Sequence, residues 1–195
     1  QREGRAKDSN DRTQESILKM FALSGTKSFI ENLKELNICP ATISYEYDPC
    51  DYLKAKEFQQ KRDNATFKKS PQDDLLNMKT GIMGDKGHVH FTFTPSINSE
   101  LEQIEASIDN RKEQIEEIVK LIDKRIHSNY IIYPINKVAY DELLNTTRFT
   151  SEVSPEERSE VESYLEQQLN KIDLPNSDYD FLRHKLLEMY ANPLI

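Results

Sequence analysis

GHVHFTFTP, residues 87–95, alternates without a break: Val89, Phe91 and Phe93 fall on one side of an extended chain, and His88, His90, Thr92 and Thr94 on the other. A period of two predicts a strand with two unlike faces. A second stretch, ICPATISYEY at 38–47, is rich in β-formers, with Ile43, Tyr45 and Tyr47 alternating with Ser44 and Glu46. Pro40 stands near its start, where a missing N–H is tolerated. Two strands are too few for a self-standing sheet among so many helices. Residues 1–98 therefore read as half of an α/β domain whose other strands lie earlier in a longer chain.

Away from these stretches the period is helical. Helices are predicted over 13–23, with Ile17, Leu18, Met20, Phe21 and Leu23 as its apolar side and Gly25 as its stop, and over 27–36 and 51–62. Ser70-Pro71-Gln72-Asp73 is a helix start, with Ser as cap and Pro in the first turn, and Leu75, Leu76, Met78 and Ile82 form the stripe expected to be buried. From residue 99 onward the chain reads as helix throughout. A long apolar series spans 99–130, interrupted near Asp109-Asn110. Shorter helices follow over 135–145, 154–172 (opened by a Ser154–Glu157 capping box) and 178–190. Residues 99–195 are thus expected to be a helical extension.

The totals narrow the function classes. The 195 residues carry a formal charge of -8, which argues against a nucleic-acid binder, since phosphate backbones need concentrated cationic surface. Five glycines are too few for an all-β sandwich full of tight turns. Cys39 and Cys50 make neither a disulfide framework nor a zinc site. No apolar run reaches the length of a membrane span, and no signal peptide is visible. The chain opens at Gln1 without an initiator Met, which reads as a fragment or a processed product.

The opening QREGRAKDSNDR, residues 1–12, holds Arg2, Arg5, Lys7 and Arg12 around Glu3-Gly4. Guanidinium groups grip phosphate bidentately, and a glycine lets the backbone come close to a ligand. Composition alone leaves two readings, a phosphate site or a solvated charged tail, and favours the tail. His88 and His90 share a strand face, but no third ligand stands at metal-like spacing, so no metal is expected. Cys50, between Asp48-Pro49 and Asp51, is read as part of a turn rather than as a nucleophile.

Glu3-Gly4-Arg5, a basic polar stretch, a helix and the strand with Pro40 resemble, in that order, the glycerol-phosphate and lysophosphatidate acyltransferase family, most nearly a bacterial branch. GHVHFTFTPSIN is similar to that family's later strand. The resemblance covers about residues 1–98. It implies the C-terminal half of an αβα acyltransferase domain, a mixed sheet flanked by helices, that moves an acyl chain from an acyl thioester to a hydroxyl of glycerol phosphate or lysophosphatidate. Arg2, Glu3, Gly4, Arg5, Lys7 and Pro40 would then be the acceptor-binding residues, with Arg5 the first choice for the phosphate. No cofactor is implied; acyl-CoA or acyl-carrier protein is the co-substrate, and the expected location is the cytoplasmic side, peripheral to the inner face of the membrane, reached through the parent protein.

The chain departs from the family pattern in three places. Arg5 directly follows Gly4, where the family has one residue between them, and Arg2 stands where a Pro often precedes the Glu. The family's general base, a His with an Asp five positions on, is absent: Phe93, Pro95, Ile132 and Met189 occupy those positions after the four histidines. The parent would be an enzyme and this fragment inactive alone. The alternative from a different class is a non-enzymatic helical module that binds a protein partner through residues 96–195.

Overall fold

Local chemistry sets the element boundaries. Ser28, Ser70 and Ser154 each accept a hydrogen bond from the backbone N–H three residues on, while the acid at that position reaches back to the serine N–H. Each such box satisfies two N–H groups that a helix start would otherwise leave unpaired. The computed structural model describes residues 8–10 and 12–195. In chain order the elements are α1 (Glu15–Phe21), α2 (Phe29–Glu35), β1 (Ala41–Tyr45), α3 (Asp51–Asp63), α4 (Pro71–Met83) and β2 (Val89–Phe93). They continue with α5 (Asn98–Ser107), α6 (Arg111–His127), α7 (Pro134–Leu143), α8 (Pro155–Asn170) and α9 (Tyr179–Ala191). The expected break near Asp109-Asn110 is present, and Asn110 caps α6 by accepting from Lys112 N–H.

The chain is mostly helical with a small two-stranded antiparallel sheet. It forms two compact units, each assembled from separate stretches: residues 12–44 with 90–131, and residues 8–10 with 45–89 and 132–195. The helical stretch from residue 99 onward is accordingly shared between the two units.

In the first unit Leu18, Ile30, Leu33, Leu101 and Ile118 are almost wholly removed from water. Of the five apolar residues expected to line the inner side of α1, Leu18 alone is buried; Met20, Phe21 and Leu23 are exposed, and Ala22 is buried instead. Asn32 explains Gly25. The buried Asn32 amide donates to the carbonyls of Ala22 and Lys27 and accepts from Lys27 N–H, and a Cβ on Gly25 would lie 2.2 Å from its Oδ1. In the second unit α9 packs against α7, α8 and α3, with Leu165, Leu186, Val138 and Ala139 at the centre. Arg183 on α9 ties these helices together at the rim, bonding Glu142 of α7 and Glu162 and Glu166 of α8. Those carboxylates, Glu142 foremost, raise its already high pKa further.

Two bonds fix the strand register: Thr94 N–H to Pro40 O at 3.0 Å and Glu46 N–H to His88 O at 2.9 Å. They place Ile43 opposite Phe91 and Ala41 opposite Phe93. One step further, Tyr47 N–H reaches Lys86 O, so Gly87 is an extra residue on one side of the ladder, a bulge. Gly87 has φ +57, and a Cβ there would come within 2.5 Å of Glu46 Oε2. Gly87→Ala is expected to lower stability by about 1–2 kcal/mol, the cost of forcing an L side chain into left-handed backbone. Urea denaturation of the two proteins under identical conditions measures the difference, and equal midpoints would show that the bulge is not held in this conformation.

Candidate functional site

The acceptor-binding residues read from the sequence fall in two places. Arg2, Glu3, Gly4, Arg5 and Lys7 lie outside the described residues. Pro40 lies within them and is buried immediately before β1. Its carbonyl accepts two hydrogen bonds from Thr94, from the N–H at 3.0 Å and from the hydroxyl at 2.9 Å. Asp8, which follows the Arg2–Lys7 block, is tied down by its backbone carbonyl, which accepts from the Asn192 side-chain amide at 2.5 Å.

The sheet next to Pro40 is inverted relative to expectation. A strand with one apolar and one polar face ordinarily turns the apolar face inward. Here Thr42 and Ser44 are buried, while Ile43, Phe91 and Phe93 are 48%, 55% and 75% exposed. Hydrogen bonds hold the polar face inside: the Thr42 hydroxyl donates to Ile126 O at 3.0 Å, and Ser44 Oγ accepts from Ile131 N–H at 3.0 Å. Both partners are backbone groups at or just beyond the end of α6; Ile126 O also accepts from Asn129 N–H at 3.1 Å.

Helix α4 shows the same inversion. The expected buried stripe of Leu75, Leu76, Met78 and Ile82 faces water, each residue between 47% and 73% exposed. The opposite side of the helix meets the rest of its unit: Cys50 Sγ lies 3.3 Å from Asn77 O, and a Cβ on Gly81 would touch the same sulfur at 3.5 Å. Burial, the largest cause, and nearby Asp48 raise the Cys50 pKa, so its thiol is no activated nucleophile. Cys50 N–H donates to Asp48 Oδ1 at 2.8 Å, as the turn reading requires.

His88 Nδ1 lies 2.6 Å from Glu46 Oε2, and its ring stacks on Tyr133 with centroids 6.3 Å apart. Among the described residues no group of three His, Cys, Asp or Glu side chains is placed to hold a metal. None of their helices is long and apolar enough to cross a membrane.

No family model, curated protein or solved structure matches the chain.

One polar cluster gave no signal in the sequence. Asp51, in the first turn of α3, is fully buried and accepts hydrogen bonds from the hydroxyls of Tyr164 at 2.8 Å and Tyr190 at 2.7 Å. Tyr190 also accepts from Asp48 N–H at 3.0 Å, and Tyr164 stacks on Tyr47 at 4.1 Å between centroids. The three oxygens thus join α3, α8 and α9 within one unit. Burial dominates the Asp51 carboxyl and raises its pKa from 3.8 to about 6, against the opposing effect of the two tyrosines. With no exposed surface, the carboxyl has no route to a substrate; it is a clamp. Its sequence separations of 113 and 139 residues explain why no local pattern announces it.

The clamp carries a pH signature. Between pH 3.8 and about 6 the folded state holds a proton on Asp51 that the unfolded chain has released. Stability contributed at this site therefore falls as pH rises through that window, by up to roughly 3 kcal/mol. Urea unfolding of the wild type and Asp51→Asn across the window measures it. The wild type is expected to lose ground steadily to the variant as pH rises, and parallel curves would remove the titration from Asp51.

Proposed function

We propose that this chain is the acceptor-phosphate and C-terminal part of a glycerolipid acyltransferase. The observation that carries the reading is the inverted sheet. Two strands keep hydroxyls inside and leave Ile43, Phe91 and Phe93 in water. Exposing such a face costs free energy in proportion to its apolar area, so it calls for a further layer of structure. An α/β domain whose other strands and helices are supplied by upstream sequence provides that layer.

The chemistry comes from the residues that carry the resemblance. Arg5, with Arg2 or Lys7 assisting, grips the acceptor's phosphate. Gly4 lets the backbone approach it, and Glu3 orients the guanidinium or accepts a hydroxyl. Pro40, with its carbonyl fixed by Thr94, closes the acceptor side at the start of β1. In the whole enzyme an imidazole from the upstream half removes the proton from the acceptor hydroxyl. The oxygen attacks the thioester carbonyl, and the thiol of CoA or a carrier protein leaves. The present chain supplies the hold on the acceptor and not the base.

Calorimetric titration of the chain with glycerol 3-phosphate tests the assignment. Binding is expected, and Arg5→Ala should weaken it at least about tenfold through loss of a charged, bidentate contact. Palmitoyl-CoA with glycerol 3-phosphate should release no acceptor-dependent thiol. Heat unchanged by Arg5→Ala would overturn the phosphate assignment, and thiol release would overturn the missing base.

A further inference from the structure

We propose that the outer edge of β2 pairs with β2 of a second copy of this chain, antiparallel and centred on Phe91, to make a four-stranded sheet across a two-fold axis. The inference does not rest on the acyltransferase reading, and it leaves the outer edge of β1 to the further strands that reading calls for. The ladder bonds of His88 and Thr94 to β1 set the alternation. His90 and Thr92 therefore turn their backbone groups toward β1, and Val89, Phe91 and Phe93 turn theirs away. Among the described residues the sheet ends there, at two strands. The two strands are not alike: β1 has Thr42 and Ser44 buried, whereas no residue of β2 is buried. β2 is open along its outer edge and most of both faces, and a two-stranded ribbon in that state is marginal in water.

Charge and symmetry select the occupant. The chain carries -8, so most of its surface repels another copy. Residues 87–95 hold no Asp, Glu, Lys or Arg, and Lys86, just before them, is turned onto the carbonyls of Ile82 and Gly84 at 3.3 and 3.0 Å. Edge strands are commonly guarded by a charge, a proline or a bulge. Here the Gly87 bulge and Pro95 stand beyond the two ends and bracket five unguarded residues. A two-fold axis through Phe91 sets Val89 opposite Phe93 of the second copy and Phe91 opposite its own counterpart. Each outward N–H between 89 and 93 then meets an outward carbonyl, with none left over. The side chains agree with that register. Aromatic and β-branched residues pair on one face and His90 pairs with Thr92 on the other, so no like charges are opposed. An interface of one strand edge is at the small end of the range for specific complexes, so the dimer is weak and reversible.

Sedimentation equilibrium of the whole chain over a wide concentration range, combined with cross-linking, is the test. A reversible dimer is expected. Phe91→Lys should weaken it at least about tenfold, because like charges would face each other across the axis, and so should Phe91→Glu. An equimolar mixture of those two variants should recover association. In a Cys39→Ser background, which removes the exposed native thiol, Phe91→Cys should form a disulfide-linked dimer, since the paired Cα atoms would lie about 5.5 Å apart. Ile43→Cys in the same background should not, because three strand spacings, roughly 14 Å, would separate the two positions. Circular dichroism is read alongside; if Phe91→Lys unfolds the chain, the two cysteine variants decide.

A monomer at every concentration overturns the proposal. A dimer that Phe91→Lys leaves intact does so too, as does one that Ile43→Cys links as readily as Phe91→Cys, the outcome for two sheets packed face to face. Failure of the Lys and Glu variants to associate with each other would move the axis away from Phe91 and overturn it as well.

Discussion

Two hydroxyl contacts, Thr42 to Ile126 O and Ser44 to Ile131 N–H, decide which side of the sheet is inside. Buried polar groups left without partners cost about 1–3 kcal/mol each, and Ile131 N–H and the Thr42 hydroxyl find theirs in these contacts. The strand that meets these requirements must turn Thr42 and Ser44 toward α6. Alternation then sends Ile43 the other way, and the ladder sends Phe91 with it. The outward apolar face, on which the functional reading rests, follows from a hydrogen-bonding demand rather than from a failure of hydrophobic burial.

Away from α4, the helices each contribute at least one buried apolar residue. Each unit has a separate apolar core built from residues close to zero exposure. In one unit the core is supplemented by the buried Asp51 carboxylate between Tyr164 and Tyr190 and by Arg183 among three glutamates. The two devices differ in energetics. Arg183 sits at the rim, partly solvated, where ion pairs contribute modestly. Asp51 is removed from water entirely, so its charge is tolerated only through the donors that reach it, the two tyrosine hydroxyls and Tyr52 N–H. Neither offers an open approach for a ligand. The sheet face and α4 are among the apolar surfaces that the cores did not absorb.

Helix ends were legible in the sequence because their chemistry is local. Ser70-Pro71 with Asp73 and Ser154-Pro155 with Glu157 satisfy N–H groups within four residues, so the capping pattern can be read without tertiary knowledge. The strands at 38–47 and 87–95 were likewise legible from alternation, and structure trims them to Ala41–Tyr45 and Val89–Phe93. The stripe of α4 was legible as a stripe, but its expected burial was wrong. Amphipathicity reports that two faces differ, not which of them meets the protein. Of the residues read from the sequence as acceptor-binding, Pro40 lies within the described residues, and its Thr94 partner, 54 positions away, carried no sequence signal.

The amino-acid order alone determined where helices and strands begin, which residues share a face, and where the cationic Arg2–Lys7 block stands, because periodicity and capping act over a few residues. Tertiary structure alone decided that hydroxyls go inward and aromatic rings outward on the sheet, that α4 turns its leucines and methionines to solvent, and that Asp51 meets Tyr164 and Tyr190. Those outcomes depend on partners more than eighty residues away in the chain. No local pattern encodes such partners, since the free energy that selects them exists only once the chain has brought the groups together.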